Sequence, residues 1–215
     1  MSSVTDLGRL NRMRRGGQGR SQTWETGNSL LNHVELIRRQ VDLSLEDPET
    51  RSLAVAIVSS AFDRVQDPGT NTVVPGVPYH GRYYRGAADW SAAQSICGQR
   101  DDACELTQLW NFWVLNVRYL QDAAGQDTYQ TLRATLEIGG GDCDDFTIGL
   151  ATLAGAIGYR SIARIISVKG DTWDHVYPVI KTRRGWIALD GTEKGKRPGW
   201  EFPSPAARQD FWLVK

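Results

Sequence analysis

The chain has no excess of charge of either sign and no long apolar run. Its 215 residues include 25 Lys and Arg and 25 Asp and Glu, which gives a formal net charge of zero. A chain without net charge produces no overall field that would favour nucleic acid or a membrane surface. The longest apolar run, from Leu53 to Val58, is far too short to span a bilayer. We therefore expect neither a membrane nor nucleic acid as a partner.

Cysteine is also scarce. Three cysteines cannot form the disulfide framework of a small secreted domain. Cys97 and Cys104 are close enough in sequence to pair or to supply half of a metal site, but no second pair or suitably spaced histidine completes such a site. We expect free thiols, no metal and no cofactor. The first residues also lack the apolar core of a signal peptide, so we expect a cytoplasmic protein.

Residues 1–29 differ in composition from the rest of the chain. They are rich in glycine, serine, asparagine and glutamine and carry no periodic apolar pattern. Such a segment cannot bury enough apolar surface to fold by itself, so we predict a flexible basic arm. Its arginines suit either a solvated tail or a contact with an acidic surface on another protein. The candidate contact residues are Arg9, Arg12, Arg14 and Arg15.

Residues 30–66 are predicted to form a helical N-terminal lobe. Apolar residues at steps of three or four run from Leu30 to Leu45 and indicate an amphipathic helix. Asp47-Pro48-Glu49 is typical of a helix start, and a second apolar stripe continues from Leu53 to Val65. His33 is interpreted as a surface residue of the first helix.

Residues 67–90 are predicted to form a long loop rich in proline, glycine and tyrosine. Loops of this length often carry function. The segment PYHGRYYRG suits either the wall of a substrate cleft or a contact surface for another subunit, and we favour the contact surface. The candidate contact residues are Tyr79, Arg82, Tyr83 and Tyr84.

The stretch from Gly139 to Tyr159 places a cysteine at the start of a helix. Three glycines permit a tight turn, Asp142 is a good N-cap, and Cys143 then lies in the first helical turn. The unpaired N–H groups and the dipole of a helix start favour the thiolate that attacks carbonyl carbons. Asp144 and Asp145 would repel a thiolate, so a cationic partner, most simply a histidine, is required. The alternative is a small buried cysteine in a core helix.

After the helix the pattern changes to that of β-strands. We predict a three-stranded antiparallel sheet from the runs 161–168, 173–182 and 186–190. His175 lies in the second strand and Asp190 ends the third, so adjacent strands can bring them together. Cys143 would attack, His175 would carry the proton, and Asp190 would orient the imidazole. Pro178 lacks an N–H, so its strand should be at an edge or carry a bulge there.

These blocks resemble those of a known family. GGGDCDDFTIGLATLAGAIGYRSIARII, WDHVYPVI and GWIALDGT are similar to the cysteine, histidine and aspartate blocks of the transglutaminase-like superfamily, and the resemblance covers residues 106–195. It implies an α+β, papain-like core over residues 91–215, with the cysteine helix packed on a small antiparallel sheet. It also implies Cys143, His175 and Asp190 as the catalytic residues. A second oxyanion donor is expected among Tyr119, Gln108 and Trp110, with Tyr119 as the first choice.

The resemblance also implies a function. Such a protein would be a cysteine enzyme, either a peptidase or amidase that acts through an acyl-thioenzyme or an acyltransferase. Its substrate would be a peptide, a cell-wall crosslink or another protein amide. The DPETRSLAVAIV helix is similar to N-terminal helices of tailed-phage members, which implies a virion component. The alternative is a head, neck or tail protein that uses the fold for docking, with other virion proteins or further copies bound through the arm.

Overall fold

A computed structural model describes residues 29–67, 69–93, 96–98, 101–123, 127–170, 172–193 and 195–215. The predicted arm, with Arg9, Arg12, Arg14 and Arg15, lies outside the described residues. Within the described residues, helices and antiparallel sheets together form an α+β structure.

The described residues contain six helices, and the sixth begins at Cys143. They are α1 (Ser29–Leu45), α2 (Pro48–Val58), α3 (Trp90–Ala93), α4 (Asp102–Asn116), α5 (Leu132–Ile138) and α6 (Cys143–Ala156). The α2 helix begins as predicted, because the Asp47 side chain accepts a hydrogen bond from the Glu49 N–H at 2.9 Å and proline follows the cap. It ends at Val58, so the predicted continuation of its stripe to Val65 is wrong.

Nine strands in the described part of the chain form three sheets. They are β1 (Asp63–Gln66), β2 (Val73–Tyr79), β3 (Arg82–Arg85), β4 (Arg118–Tyr119), β5 (Gly140–Gly141), β6 (Arg160–Ser167), β7 (His175–Thr182), β8 (Gly185–Ala188) and β9 (Ala207–Val214). The largest sheet is antiparallel with the order β8-β7-β6-β9. It contains the three predicted strands and a fourth, β9, so the expectation of a three-stranded sheet is wrong by one strand. A short parallel pair joins β4 to β5 just before the cysteine helix.

Pro178 explains where β8 ends. The strand β7 lies inside the sheet, but its pairing with β8 stops at Val179 opposite Ala188. At the next position the Leu189 N–H donates to the Pro178 carbonyl oxygen at 2.9 Å, and the proline has no N–H to return. The ladder therefore ends at that position. Asp190 follows directly and leaves the sheet next to β7.

The helix α6 is the centre of the core. Nearly all of its residues are buried, with Ala151 and Leu153 on different sides both inaccessible. On one side it packs with Leu53 and Ile57 of α2 and with α4, and on the other with α1 and the large sheet. Burial on all sides holds the first turn of α6 in place, which positions Cys143.

The predicted long loop over residues 67–90 is wrong, because this segment contains strands β2 and β3. With β1 they form an antiparallel sheet in which β2 is central. Pro75 and Pro78 concealed the strand, since proline is rare in central strands. They are tolerated because β2 pairs with both neighbours only around Gly76. Pro78 lies beyond the end of β1, and Pro75 lies beyond the end of β3.

Cys97 and Cys104 form a disulfide, with their Cα atoms 5.5 Å apart. The expectation of free thiols at these two positions is therefore wrong. Cys104 lies in the first turn of α4, and its N–H donates to the capping Asp101 side chain at 3.2 Å. The bridge thus joins the segment before α4 to the first turn of that helix. Cys143 is free.

Candidate active site

Local sequence explains the turn that presents Cys143. Gly139 ends α5 with a φ of 72°, a left-handed conformation that glycine adopts without strain. A Cβ on Gly141 would lie 2.5 Å from the Asp145 side chain, so only glycine fits there. Asp142 caps α6 as predicted, accepting a hydrogen bond from the Asp144 N–H at 3.1 Å. Cys143 is therefore the first residue of a rigidly held helix.

The thiol of Cys143 lies against the start of strand β7. The backbone N–H of Val176 faces its sulfur and favours the thiolate, but burial and the adjacent acids outweigh this effect on the pKa of the thiol. Val176 is also part of the apolar cluster against which Cys143 packs. Because Val176 is the residue after His175, this contact brings the nucleophile to the histidine block.

His175 and Asp190 form the predicted pair. The Nε2–H of His175 donates to Oδ2 of Asp190 at 2.7 Å, so Nδ1 is the ring nitrogen that can act as a base. Burial raises the pKa of Asp190, but hydrogen bonds from His175 and from the backbone and hydroxyl of Thr192 outweigh it, so the pKa lies below its ordinary value. Asp190 is therefore a buried carboxylate that can fix the tautomer of His175 and stabilise its cation.

Acidic neighbours oppose ionisation of the nucleophile. Burial raises the pKa of the Cys143 thiol well above its ordinary value, and the charges of Asp144 and Asp142 raise it further. Burial and the adjacent acids also raise the pKa of Asp142 to about 9. The acids therefore oppose the thiolate, as the sequence predicted, and they outweigh the effect of the helix start. A reactive thiol here would need a base to take its proton, and His175 is the predicted base.

The three oxyanion candidates lie in different environments. The Trp110 Nε1–H donates to the backbone carbonyl of Asp190 at 2.9 Å, so this donor is already in use. Gln108 is buried and faces a cavity of about 590 Å³ whose lining contains none of the three catalytic candidates. Tyr119 is 48% exposed, and burial together with the charge of Cys143 raises its pKa to about 12. Its hydroxyl therefore keeps its proton at neutral pH near the nucleophile, as a donor must.

His33 is not the surface residue that its sequence position predicts. Its Nε2 lies 3.1 Å from Oδ1 of Asp144, and this same oxygen lies 3.9 Å from the sulfur of Cys143. Its Nδ1 contacts the hydroxyl of Tyr129, which donates to Asp127 at 2.6 Å. Sequence reasoning missed this contact because more than a hundred residues separate His33 from Asp144. The only sequence signal was the need for a cation beside the acidic block.

Several side chains near Cys143 are of types that bind metals. Ligand atoms of His33, Asp127 and Asp144 lie within 4.8 Å of one another. The same is true of two further groups, which are Asp142 with Cys143 and Asp144, and Asp122 with Asp127 and Asp142. The atoms of the first group are already joined in hydrogen bonds and ion pairs. Asp145 accepts both the backbone and side-chain N–H of Gln130 at 2.7 Å and supports the turn. We assign no metal to these groups.

Only part of the predicted partner surface is exposed to solvent. Tyr79 is 1% exposed and packs in the core, so its assignment to a contact surface is wrong. Tyr84 packs against the same core, whereas Arg82 and Tyr83 are exposed at the end of the β2–β3 hairpin. The virion partners and the docking role stay predictions. Among the described residues, the helices are too short or too polar to cross a membrane.

Family comparison agrees with the geometry. Residues 91–191 match the model of the transglutaminase-like superfamily, so this part of the chain is a transglutaminase-like domain. The matched residues contain Cys143, His175 and Asp190, and the superfamily is one of cysteine enzymes. No curated protein and no solved structure matches the chain.

Proposed function

We propose that the protein is a cysteine enzyme that breaks an amide bond through an acyl-thioenzyme at Cys143. The observation that carries the proposal is the convergence of three elements. Cys143 packs against the cluster that contains Val176 at the start of β7, while the adjacent His175 is bonded to the buried carboxylate of Asp190 at 2.7 Å. A core cysteine would need no such pair beside it.

The reaction follows from these positions. The sulfur attacks the carbonyl carbon of the substrate as its proton moves to Nδ1 of His175, and the C–S bond forms. The carbonyl oxygen becomes an oxyanion, for which the Cys143 N–H and the Tyr119 hydroxyl are the proposed donors. The C–N bond then breaks, and His175 returns the proton to the leaving amine. Asp190 stabilises the imidazolium meanwhile.

The second half of the reaction decides between hydrolysis and transfer. Water or an amine attacks the thioester while His175 removes its proton, and the thiol is regenerated on release of an acid or a new amide. Tyr119 is half exposed, so the site is open to solvent on that side. We propose hydrolysis of a peptide, cell-wall or protein amide as the main outcome, because water reaches such a site at the higher concentration.

The test uses an activated substrate, p-nitrophenyl acetate. Wild-type protein should release a burst of p-nitrophenolate and carry one acetyl group on the peptide that contains Cys143. Cys143→Ala should give neither. Added glycinamide then separates the outcomes, since a transferase forms acetylglycinamide in preference to acetate. Acetylation spread over lysines with no burst would contradict the proposal.

A further inference from the structure

The second histidine near the nucleophile, His33, is held in a charged form by its contacts. Its Nε2 faces a carboxylate oxygen of Asp144 at 3.1 Å. Its Nδ1 faces the hydroxyl oxygen of Tyr129, whose own proton is given to Asp127 at 2.6 Å. Both ring nitrogens therefore face acceptors, and only the imidazolium carries a proton on both.

This cation lies close to the sulfur. Oδ1 of Asp144 is 3.1 Å from the His33 ring and 3.9 Å from the Cys143 sulfur, so the ring nitrogen and the sulfur are at most about 7 Å apart. The Asp144 side chain is 3% exposed, which limits the screening of its charge by water. An unneutralised Asp144 would therefore act strongly on the thiolate.

The groups that face His33 are otherwise acidic or neutral. Asp144 and Cys143 lie on α6, and Tyr129 and Asp127 lie on the segment before α5. Asp142 and Asp122 lie next to Asp127. Burial lowers the pKa of His33, but the charges of Asp144 and Asp127 outweigh burial and leave it above its ordinary value. The contacts of both ring nitrogens and the surrounding charges thus favour the imidazolium over the neutral ring.

We propose that His33 is a positioning residue that neutralises Asp144 and so permits Cys143 to ionise during attack. His33 touches neither substrate nor the reacting atoms, and it acts through Asp144. The helix α1, which lies outside the matched residues 91–191, would then be part of the working enzyme. The inference rests on Cys143 being the nucleophile proposed above.

The experiment measures the rate of Cys143 alkylation by iodoacetamide between about pH 5 and pH 9. His33→Gln keeps a hydrogen-bond donor for Asp144 but removes the charge. It should move the profile to higher pH by about half to one unit, which slows the reaction at pH 7 by about three- to tenfold. His80→Gln is the matched control, because His80 also pairs with an aspartate, Asp47, at 2.6 Å. It should leave the profile unchanged.

A double mutant separates a charge effect from a packing effect. If His33 acts through Asp144, then His33→Gln should have little effect in an Asp144→Asn background. A loss of the same size in both backgrounds would overturn the inference, as would an unchanged profile in His33→Gln. Should His33→Gln fail to fold, Asp144→Asn alone must shift the profile to lower pH, and no shift would again overturn the inference. If His175→Ala alkylates at the wild-type rate, the proposed activation of Cys143 is contradicted instead.

Discussion

Two histidine–aspartate pairs in this protein have almost the same geometry and different surroundings. His175 is bonded to Asp190 at 2.7 Å, and His80 is bonded to Asp47 at 2.6 Å. The second ring nitrogen of His80 lies 3.4 Å from Glu49, so two acids of one helix start hold the ring. The second nitrogen of His175 is not bonded to an acid among the described residues, and we propose that it serves Cys143. A short bond to a carboxylate therefore does not by itself identify a catalytic histidine. The two pairs are distinguished by the group that the second ring nitrogen serves.

The third histidine falls between these cases. His33 is bonded to Asp144 like a structural residue, yet Asp144 adjoins the nucleophile. All three histidines of the chain are thus paired with aspartate, and they differ in what else lies beside the pair. This gradation predicts a gradation of effects when each pair is broken.

The largest effect is expected for His175→Ala. Without a base the thiol cannot lose its proton during attack, so hydrolysis of p-nitrophenyl acetate should fall roughly 10²–10⁴-fold. His80→Ala should stay within about twofold of wild type in the same assay and should lower the thermal midpoint instead. Equal losses in the two variants would remove the distinction between the pairs.

A smaller loss is expected for Tyr119→Phe. Removing one oxyanion donor typically costs roughly 10²–10³ in kcat, and we expect the low end of this range because Tyr119 is half exposed. The measurement is kcat with the same ester. Trp110→Phe is the comparison, since its N–H serves the Asp190 carbonyl. If Trp110→Phe lowers kcat more than Tyr119→Phe, the assignment of the oxyanion donor is wrong.

The acid beside the nucleophile predicts a dependence of stability on pH. The pKa of Asp142 is raised to about 9 from an ordinary value of 3.8, so the folded state holds a proton that the unfolded state releases. Stability should therefore fall as the pH rises between these two values. Asp142→Asn keeps an acceptor for the Asp144 N–H and has no proton to lose. The thermal midpoint of Asp142→Asn minus that of wild type should be larger at pH 8 than at pH 5. An equal difference at the two pH values would contradict the raised pKa of Asp142.

The disulfide should affect stability without affecting the nucleophile. Closing a loop of this size contributes about 2–3 kcal/mol in the chain-entropy account. Cys97→Ser with Cys104→Ser should lower the free energy of unfolding by about that amount in urea. Mass spectrometry without reductant should find one bridge in wild type. A change in Cys143 alkylation in the double serine variant would show that the bridge also shapes the site.

The elements that carry the three candidate catalytic residues were more predictable from sequence than their surroundings. Cys143, His175 and Asp190 each lie in a short segment whose own pattern gives a helix start, a strand or a strand end. The hairpin around Pro75 and Pro78 was missed, because strand pairing that avoids a proline depends on where the neighbouring strands stop. A local sequence pattern does not show where the neighbouring strands end, so the hairpin could not be predicted from it.

Other features depend on contacts between distant segments. Residues of β9 pair with residues of β6 that are 40 or more positions away, and His33 meets Asp144 only after α1 packs on α6. The disulfide depends on how the chain turns into α4. Local periodicity carries no information about such distances, and only the demand for a cation near the acidic block pointed to a residue like His33.

The central claim is that His175, held by Asp190, activates Cys143. The most direct measurement is the rate of Cys143 alkylation by iodoacetamide at pH 7 in wild type, His175→Ala and Asp190→Ala, with the modified peptide identified by mass spectrometry. We predict at least about tenfold slower alkylation in His175→Ala and a smaller loss in Asp190→Ala, because the aspartate orients the base and does not transfer the proton. Equal rates in wild type and His175→Ala would contradict the account.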